Sequence, residues 1–323
     1  MRLIMMGTGP FAVPVFHAIL DMPHEVVTLV TAPLRLRRSK VAQSITPVRD
    51  IANAQGVPVF DPEDVNAPES RQRLMQLDAD LHVVCDYGQI LSAETLATAR
   101  LGGINLHGSL LPKYRGAAPI NWAIYHGESE TGVSVIHMTP KVDAGPVIAQ
   151  AAVPIGPDET AVDLEDRMAE AGAWLTRRAI DAVESGRLEA LPQDAKLASR
   201  APRLNKSHGQ IDWTRTARQI KNHVRAMEPW PKTYTHWLRS EGQPVRLILG
   251  PVDVAEQPSH LEQAASTQPG EVIEAAATRL AIATGQGIAR PRSLQPAGKR
   301  MMPIDEFLRG YRIQPGDRFG PSE

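Results

Sequence analysis

Asn105-Leu106-His107 sets an amide and an imidazole two residues apart, so in an extended chain both project from one face while Leu106 points to the other. A loop punctuated by glycine and proline follows at 108–119, and a tight turn around Val142-Asp143-Ala144-Gly145-Pro146 supplies a carboxylate. These three groups suit the attack of an amine on an acyl carbonyl. The amide donates to the oxygen on which negative charge develops, the imidazole takes the proton released by the amine, and the carboxylate orients the imidazole. No nucleophilic serine or cysteine is needed, because the amine attacks the carbonyl carbon itself. Taken singly, a strand-end Asn or His and a turn Asp are ordinary structural residues. Taken together, Asn105, His107 and Asp143 are expected to converge on one substrate atom.

Such groups need a scaffold that brings strand ends together. Apolar runs at 3–6, 26–31, 81–85 and 103–106 read as strands, alternating with helical patterns at 11–20, 46–55 and 70–77. Strands at 133–138 and 147–152 and a long helix at 160–185 follow. The alternation predicts an α/β fold, a doubly wound and mainly parallel sheet covered on both faces. Ligands of such sheets collect beyond the C-terminal strand ends, where Asn105 and His107 lie. Residues 1–185 are read as the catalytic domain and 186–203, broken by Pro192 and Pro202, as a linker. Residues 204–323 form a second domain. There a helix at 213–226 precedes short strand patterns at 233–238, 245–249, 271–274 and 280–284, which favour a small β-barrel of OB-like type. The polar, alanine-rich stretch 255–268 reads as a loop insertion.

With 42% hydrophobic and 22% charged residues over 323 positions, the chain has the balance of a globular protein with two cores. No run approaches the roughly 20 apolar residues that span a bilayer, and no signal-peptide pattern opens the chain, so a cytoplasmic monomer without membrane contact is expected. The single cysteine, Cys85, excludes an internal disulfide and a cysteine-clustered zinc site, and its apolar surroundings predict a buried thiol. No metal is expected. A net charge of −1 means that any nucleic-acid site must be local. Gly7, Gly9 and Ala12 also satisfy a dinucleotide fingerprint, but the second strand runs into Thr31-Ala32-Pro33 without the acidic residue that would bind ribose hydroxyls.

Asn105, His107 and Asp143, with Ser109-Leu110-Leu111-Pro112 between them, resemble the catalytic Asn, His and Asp of the 10-formyltetrahydrofolate formyltransferases. The resemblance implies a formyltransferase-like variant of the Rossmann fold and 10-formyltetrahydrofolate as donor. It also implies a pterin and formyl pocket built by Ser109, Leu110, Leu111 and Pro112 and by Tyr87, Gly88, Gln89, Ile90 and Leu91. Backbone groups of the latter stretch would hold the pterin ring, with Gln89 near the folate tail. Over nearly the whole chain the sequence is similar to the branch of that family that acts on methionyl-tRNA. Gly7-Thr8-Gly9-Pro10-Phe11-Ala12, Tyr114-Arg115-Gly116-Ala117-Ala118-Pro119, Ile211-Asp212-Trp213, the stretch 225–231 and Gln295-Pro296-Ala297-Gly298-Lys299-Arg300 carry that likeness.

Membership of that branch implies methionyl initiator tRNA as acceptor, a tRNA-binding C-terminal barrel and a basic loop after the second strand. Arg35, Arg37, Arg38 and Lys40 cluster there, and Lys206 would face the phosphate backbone from the second domain. The loop departs from the family's usual pattern. Asp86 replaces a small residue, and Ser92 a common proline. A sugar-nucleotide N-formyltransferase would use the same three groups without needing the basic loop. A tRNA-binding module without catalysis would leave them without a purpose.

Overall fold

The computed structural model describes residues 1–34, 47–187, 189–239, 242–255 and 268–322. Arg35, Arg37, Arg38 and Lys40 of the expected basic loop lie outside the described residues, as does most of the alanine-rich insertion. The chain divides into two units. The first comprises Met1–Pro119, Glu130–Pro154 and Asp163–Pro202, and the second Ile120–Ser129, Ile155–Val162 and Arg203 onward.

The near-unbroken apolar runs of the first unit become one seven-stranded sheet. β1 (Arg2–Met6), β2 (Glu25–Val30), β3 (Val59–Phe60), β4 (Leu81–Cys85) and β5 (Gly103–His107) pair in parallel. A two-residue β6 (Arg115–Gly116) lies outside that sheet. β7 (Glu130–His137) and β8 (Val147–Pro154) complete it as an antiparallel edge, giving the order β3-β2-β1-β4-β5-β7-β8. The expected mainly parallel sheet is present. β4 is buried at every position, as a strand covered on both faces must be. Cys85 ends it, fully buried, with its thiol pKa raised by burial. Strand order reverses between β1 and β4, which makes the crevice beyond their C-terminal ends the natural ligand site of the fold.

Around the sheet run α1 (Ala12–Leu20), α2 (Pro47–Ala54), α3 (Pro68–Gln76), α4 (Ala93–Leu96) and the long α6 (Ala161–Glu184), whereas α5 (Pro119–His126) belongs, apart from Pro119, to the second unit. Leu106 of β5 packs on Gly172 of α6 so closely that any side chain there would overlap it. Of the 186–203 stretch, expected as a linker, the described residues through Pro202 belong to the first unit. Val147 and Leu191 exchange backbone hydrogen bonds of 2.8 Å, and β9 (Arg200–Ala201) pairs in parallel with β6.

The second unit is an antiparallel two-sheet barrel. Its strands are β10 (Tyr234–Leu238), β11 (Val245–Leu249), β12 (Val252–Ala255), β13 (Val272–Ala276), β14 (Arg279–Ala283), β15 (Ile288–Pro291), β16 (Ser293–Pro296), β17 (Met302–Pro303) and β18 (Arg318–Gly320). Five form the sheet β17-β16-β11-β10-β18 and four the sheet β12-β15-β14-β13. One seam closes where the Phe319 N–H donates to the Gly270 carbonyl at 2.7 Å and the Val272 N–H to the Asp317 carbonyl at 2.8 Å. Gly270, at φ +89, is required there because a Cβ would overlap the Phe319 carbonyl. Trp213, Trp237, Leu247, Ile282, Phe319 and Phe307 of α8 (Ile304–Gly310) share the core.

The helix expected at 213–226 is shorter, α7 (Ala217–Ala226). The Asp212 carboxylate accepts from Thr214 N and Oγ1 and holds the preceding residues in a turn, and a reciprocal Thr216–Gln219 capping box starts the helix. No described helix is long and apolar enough to cross a membrane.

Candidate active site

β5 carries Asn105 and His107 to the sheet end on the face opposite Leu106. The His107 side chain is 6% exposed, and its Nε2 lies 2.9 Å from the Tyr114 carbonyl oxygen. A carbonyl only accepts, so Nε2 carries the hydrogen, and Nδ1 is the basic nitrogen of the neutral ring. Nδ1 faces the Asp143 Oδ2 across 3.6 Å. That gap exceeds a hydrogen bond, yet it lets the carboxylate stabilise positive charge once Nδ1 takes up a proton.

Asp143 is fixed independently. The Gly116 N–H donates to its Oδ2 at 2.9 Å, and its own backbone is left-handed at φ +49. Gln193 Nε2 donates to the carbonyls of Asp143 and Gly145 at 2.8 and 2.7 Å, while its Oε1 accepts from Arg115 Nε and Nη2 at 3.1 and 2.7 Å. The Tyr114 N–H donates to Ser199 Oγ at 2.9 Å, which steadies the carbonyl that holds His107. Asn105 is half-buried, and its amide has no hydrogen-bond partner among the described residues. An oriented base, a carboxylate beside it and an unspent amide donor therefore meet at one strand end.

The neighbouring loops are held from within. The Ser109 hydroxyl, fully buried, donates to the Lys113 carbonyl at 2.6 Å, so this side chain is not turned toward a ligand. Ser134 Oγ receives the Leu111 N–H at 3.1 Å and donates to the Ser109 carbonyl at 2.6 Å, and Gln150 Nε2 donates to the Leu111 carbonyl at 2.9 Å. Leu111 is buried, so Leu110 and Pro112 are the half-buried members of that set. In the loop after β4, Tyr87 and Leu91 are core residues and Ile90 is 63% exposed. The Gln89 amide is spent on the adjacent loop, accepting from Val65 N at 2.9 Å and donating to the Pro62 carbonyl at 3.2 Å. By contrast, the backbone N–H and C=O groups of Gly88 and Gln89 make no hydrogen bond to other described residues.

Beside the β1 end, a cleft of about 480 Å³ is lined by Pro10, Phe11, Pro14, Pro47 and Glu165 among others. Burial pushes the Glu165 carboxyl up to about 7, with the Asp86 charge adding to the shift, and burial of the Asp86 carboxyl pushes it up to about 6 although the residue as a whole is exposed. Asp86 lies directly over Gly9, where any Cβ would overlap its carboxylate. Ser92 accepts from the Thr95 N–H at 3.2 Å as the N-cap of α4, a structural use for that departure.

Residues 1–180 match the formyl transferase family and residues 203–312 its C-terminal domain. A methionyl-tRNA formyltransferase of Rhodopirellula baltica is 44% identical over 98% of this chain and 96% of its own. The chain belongs to the methionyl-tRNA formyltransferase family. A second member, from Geobacter sulfurreducens, is 37% identical over 99% of this chain and 97% of its own. Among solved structures, an N-formyltransferase from Helicobacter canadensis, in complex with folinic acid and dTDP-3-aminofucose, has the same fold. Its TM-score is 0.64 at 19% identity, over 90% of this chain and 98% of that one.

The structure also assigns work to residues that sequence reasoning passed over. The Tyr114 carbonyl and Gly116 N–H are backbone groups, without a side-chain signature. Gln193 and Ser199 sit in the stretch read as a linker, where prolines and polar residues hid their role. Lys206, in the second unit, is exposed at the start of the 3₁₀ turn Lys206–Gly209, which Asn205 caps.

Proposed function

We propose that this protein transfers the formyl group of 10-formyltetrahydrofolate to the α-amino group of methionyl initiator tRNA, giving N-formylmethionyl-tRNA and tetrahydrofolate. The observation that carries the reading is His107, fixed as the Nε2–H tautomer by Tyr114, with basic Nδ1 facing Asp143 beside the unspent amide of Asn105. The unpaired backbone groups at Gly88 and Gln89 suit the donor and acceptor edge of a pterin. When bound, the folate supplies the formyl carbon and a nitrogen leaving group.

The chain's own residues do the rest. Asn105 donates its amide N–H to the formyl oxygen as charge develops there, a contribution that in other acyl transfers is worth about 10²–10³ in rate. His107 takes on Nδ1 the proton that the amine releases as the new C–N bond forms, and Asp143 stabilises the resulting imidazolium. The same proton is then returned to the departing nitrogen, so the ring ends neutral. The cleft at Phe11 and Pro14, about 480 Å³, has volume enough for the acceptor's methionine side chain. The test is direct formylation of methionyl initiator tRNA by the purified protein, with Asn105→Ala beside it. A parent protein that formylates a sugar nucleotide and not the charged tRNA overturns the acceptor assignment.

A further inference from the structure

The chain as a whole is balanced, with 35 Lys and Arg against 36 Asp and Glu, but residues 203–232 of the second unit are not. They hold seven Lys or Arg against two Asp or Glu. Three of those cations serve the fold: Lys221 pairs with Asp158 at 2.5 Å, Arg225 donates to the Gly156 and Glu159 carbonyls at 2.8 and 3.0 Å, and Lys232 faces Glu228 at 3.8 Å. Arg203, Lys206 and Arg218 are exposed, and their side chains make no ion pair or hydrogen bond with other described residues.

Aromatic surface borders these charges. Trp230 is 50% exposed and its ring meets no other ring among the described residues. The adjoining Pro231 and Lys232 pack against Gly209, whose lack of a side chain lets the Lys232 carbonyl approach. Gly209 closes the turn that begins at Lys206 and contains His208. From His208 a ladder of rings continues through Trp122 at 5.2 Å and His126 at 5.8 Å to Tyr125 at 5.4 Å, with the Arg215 guanidinium 4.6 Å from the Tyr125 centroid. Unpaired cations at a turn against which the residues following a half-exposed indole pack are what a single strand of nucleic acid needs, phosphates for the charges and a base for the ring.

We propose that Trp230 is a stacking platform for an unpaired base of the tRNA, with Arg203 and Lys206 holding the phosphates next to it. The inference rests on the tRNA reading for its ligand, but it concerns binding alone, so uncharged tRNA suffices to test it and failure of formyl transfer leaves the test intact.

The experiment measures affinity of the full-length protein for uncharged initiator tRNA, and for inorganic polyphosphate as a polyanion without bases, across a salt series. Trp230→Ala should weaken tRNA binding about 5- to 100-fold with an unchanged slope of log affinity against log salt, because a neutral stacking contact releases no counterions. Its affinity for polyphosphate should not fall. Trp230→Phe should recover most of the tRNA affinity, and Trp230→Leu, which keeps bulk without a π face, should not. Arg203→Ala with Lys206→Ala should weaken both probes and lower the salt slope by about 1 to 2. Parental tRNA affinity in folded Trp230→Ala or Trp230→Leu, or an equal loss toward polyphosphate, overturns the stacking role. If Trp230→Ala melts at the assay temperature, the Leu and Phe variants decide.

Discussion

Two neighbouring strand ends of the first unit treat their titratable groups in opposite ways. At the end of β5, His107 has an acceptor at Nε2 and a carboxylate near Nδ1, and Asp143 is tied down by Gly116 and, through its backbone, by Gln193. At the end of β4 and on α6, the Asp86 and Glu165 carboxylates have no hydrogen-bond or ion-pair partner among the described residues, and burial raises both carboxyls toward neutrality. The first arrangement fixes geometry and leaves one nitrogen ready for a proton. The second stores an electrostatic cost that no contact offsets. Perturbed carboxyls thus lie one strand away from the candidate chemistry rather than in it.

The contrast breaks most visibly at His107. His107→Ala or Asn105→Ala should lower turnover about 100-fold or more while the thermal midpoint stays near that of the parent. Near-normal turnover in either folded variant removes that residue from the reaction. A smaller effect is expected one step out. Gln193→Ala frees both the 143–145 turn and Arg115 and should reduce kcat about 10-fold, with a lesser change in KM, because what is lost is alignment rather than substrate contact. Equal kcat in parent and variant would mean that the turn holds itself.

The least effect, and of opposite sign for the fold, belongs to the unpaired carboxyls. The folded protein keeps the Glu165 proton up to about pH 7, whereas the unfolded chain releases it near 4.5. Between those values the native state binds more protons, so this group's contribution falls as pH rises through the window and stays unfavourable above it. Glu165→Gln should therefore be more stable than the parent at pH 8 by about 1–2 kcal/mol, a figure reduced for partial exposure, and the two should converge near pH 4. Denaturant melts at both pH values give the answer. A variant less stable at pH 8 would show that Glu165 has a favourable partner after all.

Much of this region was legible in the chain. Strands buried on both faces leave continuous apolar runs, so β1, β2, β4 and β5 were visible, and the i, i+2 spacing of Asn105 and His107 gave their common face. The barrel was visible only in part. β12, β15, β16, β17 and β18 have two to four residues each, too few for alternation to stand out, and their pairing is decided by distant partners. The Gln193 clamp was hidden for another reason, since it grips backbone atoms of a turn 48 to 50 residues earlier.

Formylation of methionyl initiator tRNA is proposed for the strand-end constellation of Asn105, His107 and Asp143. Single-turnover formylation, with the purified protein in excess over methionyl initiator tRNA and 10-formyltetrahydrofolate saturating, tests it most directly. The parent should give stoichiometric N-formylmethionyl-tRNA, and Asn105→Ala a rate at least about 100-fold lower at equal tRNA occupancy. No formylated product from the parent, or the same rate from folded Asn105→Ala, would contradict it.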